Sequence, residues 1–482
     1  MPMEQRREVI EAKSFINNEW VGSSTQHILP VKNKYDQSIV ATVAMADMAE
    51  VQFAIESSVK GFENFKKLSG EERRQIILKI RDGLILEKEK FINLIVTEAG
   101  KPIDYAKAEI DRSVKTLEIA AEEALRMGGE VIPMDYGIGV GKTAFTKRFP
   151  VGPVLCISPF NFPLNLVMHK LAPALACGNS VILKPSPYTP LTALALASLL
   201  KRVGVPAGVF NVVVCKNEEA EFMLHDERIK MLSFTGSAEV GWMLKQKAKK
   251  KKILLELGGN AAVIVDRSSD IDLAAKEIAR GAYLYSGQIC ISTQRIFVDA
   301  SVFDEFIHRF KFHTSELKIG SPNESGVVIG PIIDRAHFDR IHHWVMEAQT
   351  LGAECLMGGK IIDETHHLYA PTLLTKTSSE MKVVCEEIFG PVAVIEKVEY
   401  FDEVIREIND SKYGLQVALY TNQLNQMKYA HEHLNVGALI INSIPGFRVD
   451  NMPYGGVKDS GFGREGVRYA LEEMTESKLL VY

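Results

Sequence analysis

Hydrophobic and polar positions along the chain fall into two regimes. Up to about residue 128, apolar residues recur every three or four positions, the spacing that lines one face of a helix. MAEVQFAIESSVKGFENFKKL, EERRQIILKIRDGLILEKEKFINLIVTEAG and AEIDRSVKTLEIAAEEALRM each carry it. The first part therefore reads as helices, the third stopped by Gly128 and Gly129. EVIPMDYGIGVGKTAFTKRFPVG then changes to alternation broken by glycines, which predicts two strands of a hairpin or arm.

After Pro150, short apolar runs alternate with helical patterns. VLCIS, SVILK, VFNVVV, MLSFT and KILLEL are separated by LVMHKLAPALA, LTALALASLLKRV, EAEFMLHD and AEVGWMLKQKA. Five strands with intervening helices predict a parallel sheet covered on both faces. Such sheets take ligands beyond the carboxyl ends of their strands. A second α/β unit starts near Gly258 with AAVIV and DLAAKEIARGAYLY and runs to about residue 445, and ESKLLVY reads as a terminal strand. A chain of 482 residues exceeds one hydrophobic core, so two or three domains are expected, packed together because no long linker separates them.

Composition narrows the function classes. At 46% hydrophobic and 24% charged, the chain has the make-up of an ordinary soluble globular protein. A net charge of −5 disfavours a nucleic-acid partner, which needs a basic surface to displace counterions. The basic run KQKAKKKK leads into an apolar strand and reads as a solvated helix end. No apolar run is long enough to cross a bilayer, and MPMEQRREVIEAK lacks the apolar stretch of a secretory signal. The six cysteines form no CxxC pair, so neither a metal site nor a disulfide framework is expected, and a reducing cytoplasm is the simplest setting.

Three residues suggest chemistry together that none suggests alone. Cys290, in YLYSGQICISTQR, sits among small and polar residues where a helix should be ending. A lone cysteine usually packs as a small hydrophobe; this one has the setting of a nucleophile. Glu256 closes an apolar run in LLELGGN, where desolvation would raise its pKa and suit a general base. Taken singly it reads equally as a capping or ion-paired carboxylate. Asn161 follows a strand in SPFNFPLN and could donate to an oxyanion, or could merely fix a turn before Pro163. No G-x-G-x-x-G follows a strand. Instead, Gly236 and Ser237 open a helix whose free N–H groups suit a phosphate, and Lys184 ends a strand where it could reach ribose hydroxyls or a phosphate.

The whole chain resembles the aldehyde dehydrogenase superfamily. FINNEWVGS, EAGKP, PFNFPLN, KPSPYTP, FTGSAEVG, LELGGN, SGQICIS, EEIFGP, YGL and GGVKDSGFGREG occur in the family's order and spacing. The resemblance implies a Rossmann-type five-stranded parallel sheet for the cofactor, a second α/β catalytic domain and a β-strand oligomerisation arm. The expected bounds are 1–128 and 150–255 for the NAD(P)-binding domain, 256–447 for the catalytic domain, and 129–149 with 468–482 for the arm of a homodimer or homotetramer. It implies that Cys290 attacks an aldehyde as thiolate, that Asn161 and the Cys290 N–H hold the oxyanion, and that Glu256 activates the water that hydrolyses the thioester. No metal is required.

The same carry-over places Ile157, Ser158, Pro159, Phe160, Lys184 and Ser186 against NAD or NADP. Gly208, Gly236, Ser237, Val240, Leu257, Glu387 and Phe389 complete that set. Many NAD-preferring relatives have a glutamate three residues after the lysine of KP; here it is Pro187, which leaves both cofactors open. On the substrate side, Arg112 and Arg448 match two arginines of anion-binding relatives, with Ser292 nearby, but the third such position is Ile289. The resemblance is strongest to the lactaldehyde, phosphonoacetaldehyde and sulfolactaldehyde dehydrogenases. Losing one arginine favours a short 2-hydroxyaldehyde such as lactaldehyde. A small anionic aldehyde follows: glyceraldehyde 3-phosphate, phosphonoacetaldehyde, sulfolactaldehyde or succinic semialdehyde. A CoA-acylating enzyme commonly lacks the base that Glu256 supplies, and a non-catalytic protein of this fold has no need of Cys290.

Overall fold

The structure is a computed structural model that describes residues 9–22 and 27–482. The expectation about a signal-like stretch falls mostly on residues 1–8, outside the described residues. The five expected strands are present as Val154–Ile157, Val181–Lys184, Phe210–Val212, Met231–Thr235 and Lys252–Glu256. They pair in parallel, with 154–157 between 231–235 and 181–184. The chain runs outward one way from 154–157 and then returns to build the other side, so a crevice opens beyond the carboxyl end of this strand. Val154, Leu155, Ile182, Leu183, Leu232 and Leu254 are fully buried, which is why these runs read as continuous hydrophobes.

Two features of this sheet depart from expectation. The described residues before Met48 form strands rather than a helix, and Ser14–Ile16 and Glu19–Val21 among them extend one edge of the parallel sheet. Strands of three residues are too short to show an alternation. At the other edge, Gly461–Phe462 returns to pair antiparallel with Lys252–Glu256, making eight strands in all. The long second helix is also divided, into Gly70–Leu86 and Lys88–Ala99, at the non-helical Glu87.

The second unit is a seven-stranded sheet with Ala262–Val265 and Arg295–Asp299 at its centre and Glu354–Met357 antiparallel at one edge. The third sheet pairs Thr475–Val481, Ala144–Pro150 and Val131–Ile132 antiparallel. Of the expected 468–482 arm segment, only Thr475–Val481 joins this sheet. The helix Val467–Glu473 packs on the helix Asn165–Cys177 beside the cofactor sheet. That helix, Asn165–Cys177, is buried on every side, held between the sheet and the N-terminal helices.

Candidate active site

Cys290 follows the helix Ile271–Tyr283 through a tight turn in which Tyr285, Ser286 and Gly287 have φ of 49°, 57° and 69°. Left-handed backbone at two non-glycine residues costs energy and persists only where neighbours hold it. Here the Tyr285 hydroxyl donates to the Ala99 carbonyl at 2.8 Å and Ser286 Oγ donates to the Gly330 carbonyl at 2.7 Å. The Gln288 side chain accepts from the Ile333 N–H at 2.9 Å and donates to the Pro331 carbonyl at 3.2 Å. A Cβ at Gly287 would stand 2.1 Å from the Gly390 carbonyl oxygen. The polar residues before Cys290 are thus anchors that present the thiol.

Two cavities meet at Cys290. One, of about 350 Å³, is lined by Asn161, Glu256 and Cys290 together with Pro159, Phe160, Gly236, Ser237, Leu257, Glu387 and Phe389. The other, of about 190 Å³, is lined by Cys290 with Arg112, Ile289, Ser292 and Arg448. All three proposed chemical groups therefore face the larger cavity, and all four proposed substrate residues face the smaller.

Asn161 is 3% exposed and its Nδ2 donates to the Gln288 carbonyl at 3.0 Å. An amide nitrogen carries two hydrogens, so one N–H remains for a ligand. Glu256 is buried and neither carboxyl oxygen has a partner among the described residues. Burial, and then the charge of Glu465, push its pKa well above the usual carboxylate range. Glu465 also feels burial, but Lys170, at 3.0 Å, with His169 and Arg448 holds it ionised. The charge of Glu465 thus adds to burial in favouring the protonated form of Glu256.

Cys290 is expected to attack as a thiolate, so its proton must leave first. Burial pushes its pKa up to about 11, opposed by a hydrogen bond with the Tyr454 hydroxyl at 3.1 Å. The shift favours the protonated form of the sulfur at neutral pH. Tyr454 is a site residue the sequence reading missed; the only signal was a lone aromatic in the glycine-rich MPYGG.

On the substrate side, each arginine is already paired. Arg112 donates to Asp450 at 2.7 Å, and Asp450 also meets His169 at 2.9 Å. Arg448 reaches Glu465 at 3.3 Å and lies 3.6 Å from the centre of the Tyr454 ring. Both Nε atoms remain buried without a partner among the described residues. Ser292 Oγ is committed to the Ala282 carbonyl at 3.1 Å, and Ile289 supplies apolar wall.

The remaining residues of the proposed cofactor set lie along one sheet edge, with one exception. Ile157 and Lys184 end adjacent strands, the Ser158 N–H donates to the Lys184 carbonyl at 3.2 Å, and Ser186 caps the following turn at Tyr188. Val240 is 39% exposed in the first turn of the helix Ala238–Lys247. Gly208 is not brought to this edge. It precedes Phe210–Val212, so it lies at the amino end of the sheet, where a Cβ would stand 2.2 Å from the Ser57 carbonyl oxygen. Its missing side chain serves close packing against Gly61 of the helix Met48–Phe65. His337 and Arg340 line the larger cavity and were not anticipated.

The larger cavity fits a dinucleotide. The helix opening at Ser237 offers N-terminal amides to a phosphate. The Lys184 ammonium, at a residue 6% exposed, has no hydrogen-bond or ion-pair partner among the described residues. Glu387 accepts from the Gly259 N–H at 3.1 Å, and burial raises it to about 7. A Cβ at Gly258 would come within 2.2 Å of the Glu387 carboxyl, so glycine keeps the cradle open. Phe389, at φ 50°, sets its ring 5.8 Å from that of Phe160.

A presented thiol, an amide with one free N–H and a desolvated carboxyl beside a dinucleotide cradle are parts that suit a nucleotide-dependent oxidoreductase. The chain belongs to the aldehyde dehydrogenase family, whose pattern matches residues 20–480. It is 41% identical over 469 residues to a 3-sulfolactaldehyde dehydrogenase of Priestia aryabhattai, covering 97% of each chain. It is 38% identical over 473 residues to a lactaldehyde dehydrogenase of Methanococcus maripaludis, covering 97% of this chain and 99% of that one. Among solved structures, aldehyde dehydrogenase 21 of Physcomitrella patens, in complex with the reaction product succinate, matches with a TM-score of 0.95, 38% identity and 98% coverage of both chains. The protein is an NAD(P)-dependent aldehyde dehydrogenase. Among the described residues, no helix is long and apolar enough to cross a membrane.

Proposed function

We propose that the protein oxidises a short 2-hydroxyaldehyde, such as lactaldehyde, to its carboxylate. The observation that carries the proposal is the position of Cys290 where the two cavities meet. The Cys290 sulfur attacks the carbonyl carbon. Asn161 Nδ2–H and the Cys290 N–H donate to the oxygen that gains charge. Bound in the larger cavity, NAD(P)⁺ supplies the hydride acceptor. Glu256 then takes a proton from the water that cleaves the thioester, a role its desolvated carboxyl suits once ionised.

The substrate class rests on the smaller cavity. Each arginine spends one face on a carboxylate and keeps one Nε–H, so the pair suits a hydroxyl or a single negative charge better than a phosphate dianion. The relatives named as lactaldehyde and 3-sulfolactaldehyde dehydrogenases support the same range. A small anionic aldehyde, sulfolactaldehyde first, is the second reading, favoured by those two uncommitted donors. An absorbance screen for NAD(P)H across lactaldehyde, sulfolactaldehyde, succinic semialdehyde, glyceraldehyde 3-phosphate, phosphonoacetaldehyde and long apolar aldehydes tests it with both cofactors. Comparable rates on the apolar set would overturn the role of the arginines. Cys290→Ala is expected to abolish turnover, by about 10⁴-fold or more, with the fold intact; undiminished turnover would sink the mechanism.

The cofactor-binding domain is assigned to residues 1–128 and 150–255, and the catalytic domain to 256–447. The arm, 129–149 with the C-terminal strand, exposes Val131, Ile138, Val140, Leu479 and Leu480, which suits burial in a homodimer or homotetramer. A cytoplasmic setting suits six cysteines all present as free thiols.

A further inference from the structure

The nucleophile has one side-chain hydrogen-bond partner among the described residues, the Tyr454 hydroxyl, 3.1 Å from its sulfur. Tyr454 is 4% exposed and fixed from two sides. Its backbone exchanges hydrogen bonds with Glu465, at 3.0 Å and 2.7 Å. Its ring lies against the Arg448 guanidinium, 3.6 Å from the ring centre, and Arg448 is held by the Glu465 carboxylate. Glu465 in turn is clamped by Lys170, which also donates to Ser233 and Thr235 on the cofactor sheet. Glu465 therefore fixes Tyr454 twice, through its own backbone and, by its carboxylate, through the cation under the ring. A phenol held so firmly next to a thiol is more than cavity wall.

We propose that the Tyr454 hydroxyl donates a hydrogen bond to the Cys290 sulfur as the thiol gives up its proton to water, favouring the reactive form and aiming it at the carbonyl carbon, which makes Tyr454 a further catalytic residue. The inference rests on Cys290 being the nucleophile. Burial, with Cys290 alongside, pushes the phenol well above its usual range, so it keeps its proton and acts as a donor at every pH where the enzyme works. A thiol can donate or accept in this contact; a thiolate can only accept. The bond therefore strengthens when the sulfur becomes charged. Arg448 also favours the charged sulfur, and Asn161 keeps one N–H free, but the Tyr454 hydroxyl is the side-chain group within hydrogen-bond distance of the sulfur among the described residues.

The test reads the thiol rather than turnover. In the wild-type protein without cofactor, the rate of iodoacetamide alkylation at Cys290, followed by peptide mass spectrometry, is expected to rise about tenfold per pH unit from neutrality, because a pKa of about 11 leaves it protonated below that. Tyr454→Phe is expected to slow alkylation at fixed pH by roughly three- to tenfold and move the profile upward, with an unchanged melting temperature and unchanged NAD(P)⁺ binding. A profile that superimposes on wild type overturns the proposal. Should Tyr454→Phe fail to fold, Arg448→Lys, which withdraws the planar cation from the ring, is expected to slow alkylation in the same direction; no change there overturns it equally. Activity in Cys290→Ala would instead defeat the reading on which the proposal stands.

Discussion

The two cavities that meet at Cys290 are built on different principles. The larger is assembled from strand ends and turns, with backbone amides and glycines doing the shaping. The smaller is walled by charged groups that are already paired: Arg112 with Asp450, Arg448 with Glu465 and Lys101 with Glu109. Under the proposed function the first holds a cofactor whose chemistry is fixed, so its residues are set by local geometry. The second must discriminate among aldehydes, and its selectivity lies in which donors are left over after pairing. An arginine that lines a cavity is therefore no measure of that cavity's charge until its partner is known.

The largest expected effect that separates the two sides falls on Glu256. Glu256→Gln removes the base but keeps shape, and both oxygens lack partners to disturb. Steady-state turnover is expected to fall by about 10²–10⁴-fold. A rapid burst of one NAD(P)H per Cys290 should survive, because thiol attack and hydride departure precede hydrolysis. Loss of the burst with turnover would place Glu256 before the thioester and break the division of labour between carboxyl and thiol.

A smaller effect is expected at Arg112. Arg112→Met should raise KM for lactaldehyde by about tenfold with kcat nearly unchanged, since binding is lost equally from ground and transition states. Propionaldehyde, which lacks the hydroxyl, should be barely affected. An equal penalty on both aldehydes would show that Arg112 works by holding Asp450 and His169 rather than by touching substrate.

The contrast between the cavities also explains what the sequence disclosed. Cys290, Glu256 and Asn161 were recognisable because each sits in a short motif whose oddness is local: polar residues around a thiol, a carboxylate closing an apolar run, an amide after a strand. The five parallel strands were recognisable because full burial makes them continuous hydrophobic runs. The pairing of Arg112 with Asp450 and the contact of Cys290 with Tyr454 were not, because their members lie 338 and 164 residues apart. Gly208 was misplaced for a related reason. A glycine in a turn looks the same whether it admits a phosphate or a neighbouring helix, and only the position of Gly61 decides.

The smallest expected effect concerns the far end of the cofactor edge, where Pro187 replaces a carboxylate and is exposed. The Val213 N–H donates to the Leu183 carbonyl at 2.9 Å, which sets the chain leading to the helix Asn217–His225 beside Lys184. Glu219, in the first turn of that helix, keeps Oε2 buried without a partner among the described residues. Burial lowers the Lys184 pKa, and Cys215 and then Glu219 are the neighbours that oppose this, so the carboxylate lies within electrostatic reach of the ammonium. Under the proposed cofactor placement, a carboxylate there would accept from ribose hydroxyls and repel a 2′-phosphate, the role the family resemblance gives to a glutamate at the position of Pro187. Glu219→Gln should therefore tighten binding of 2′,5′-ADP by roughly three- to tenfold, measured by calorimetry, and leave 5′-AMP almost unchanged. Lys184→Met should weaken both. If the ratio of the two affinities does not move in Glu219→Gln while Lys184→Met still weakens both, the lysine alone reads the ribose, and NAD and NADP are distinguished on this side by the cation without a carboxylate to oppose it.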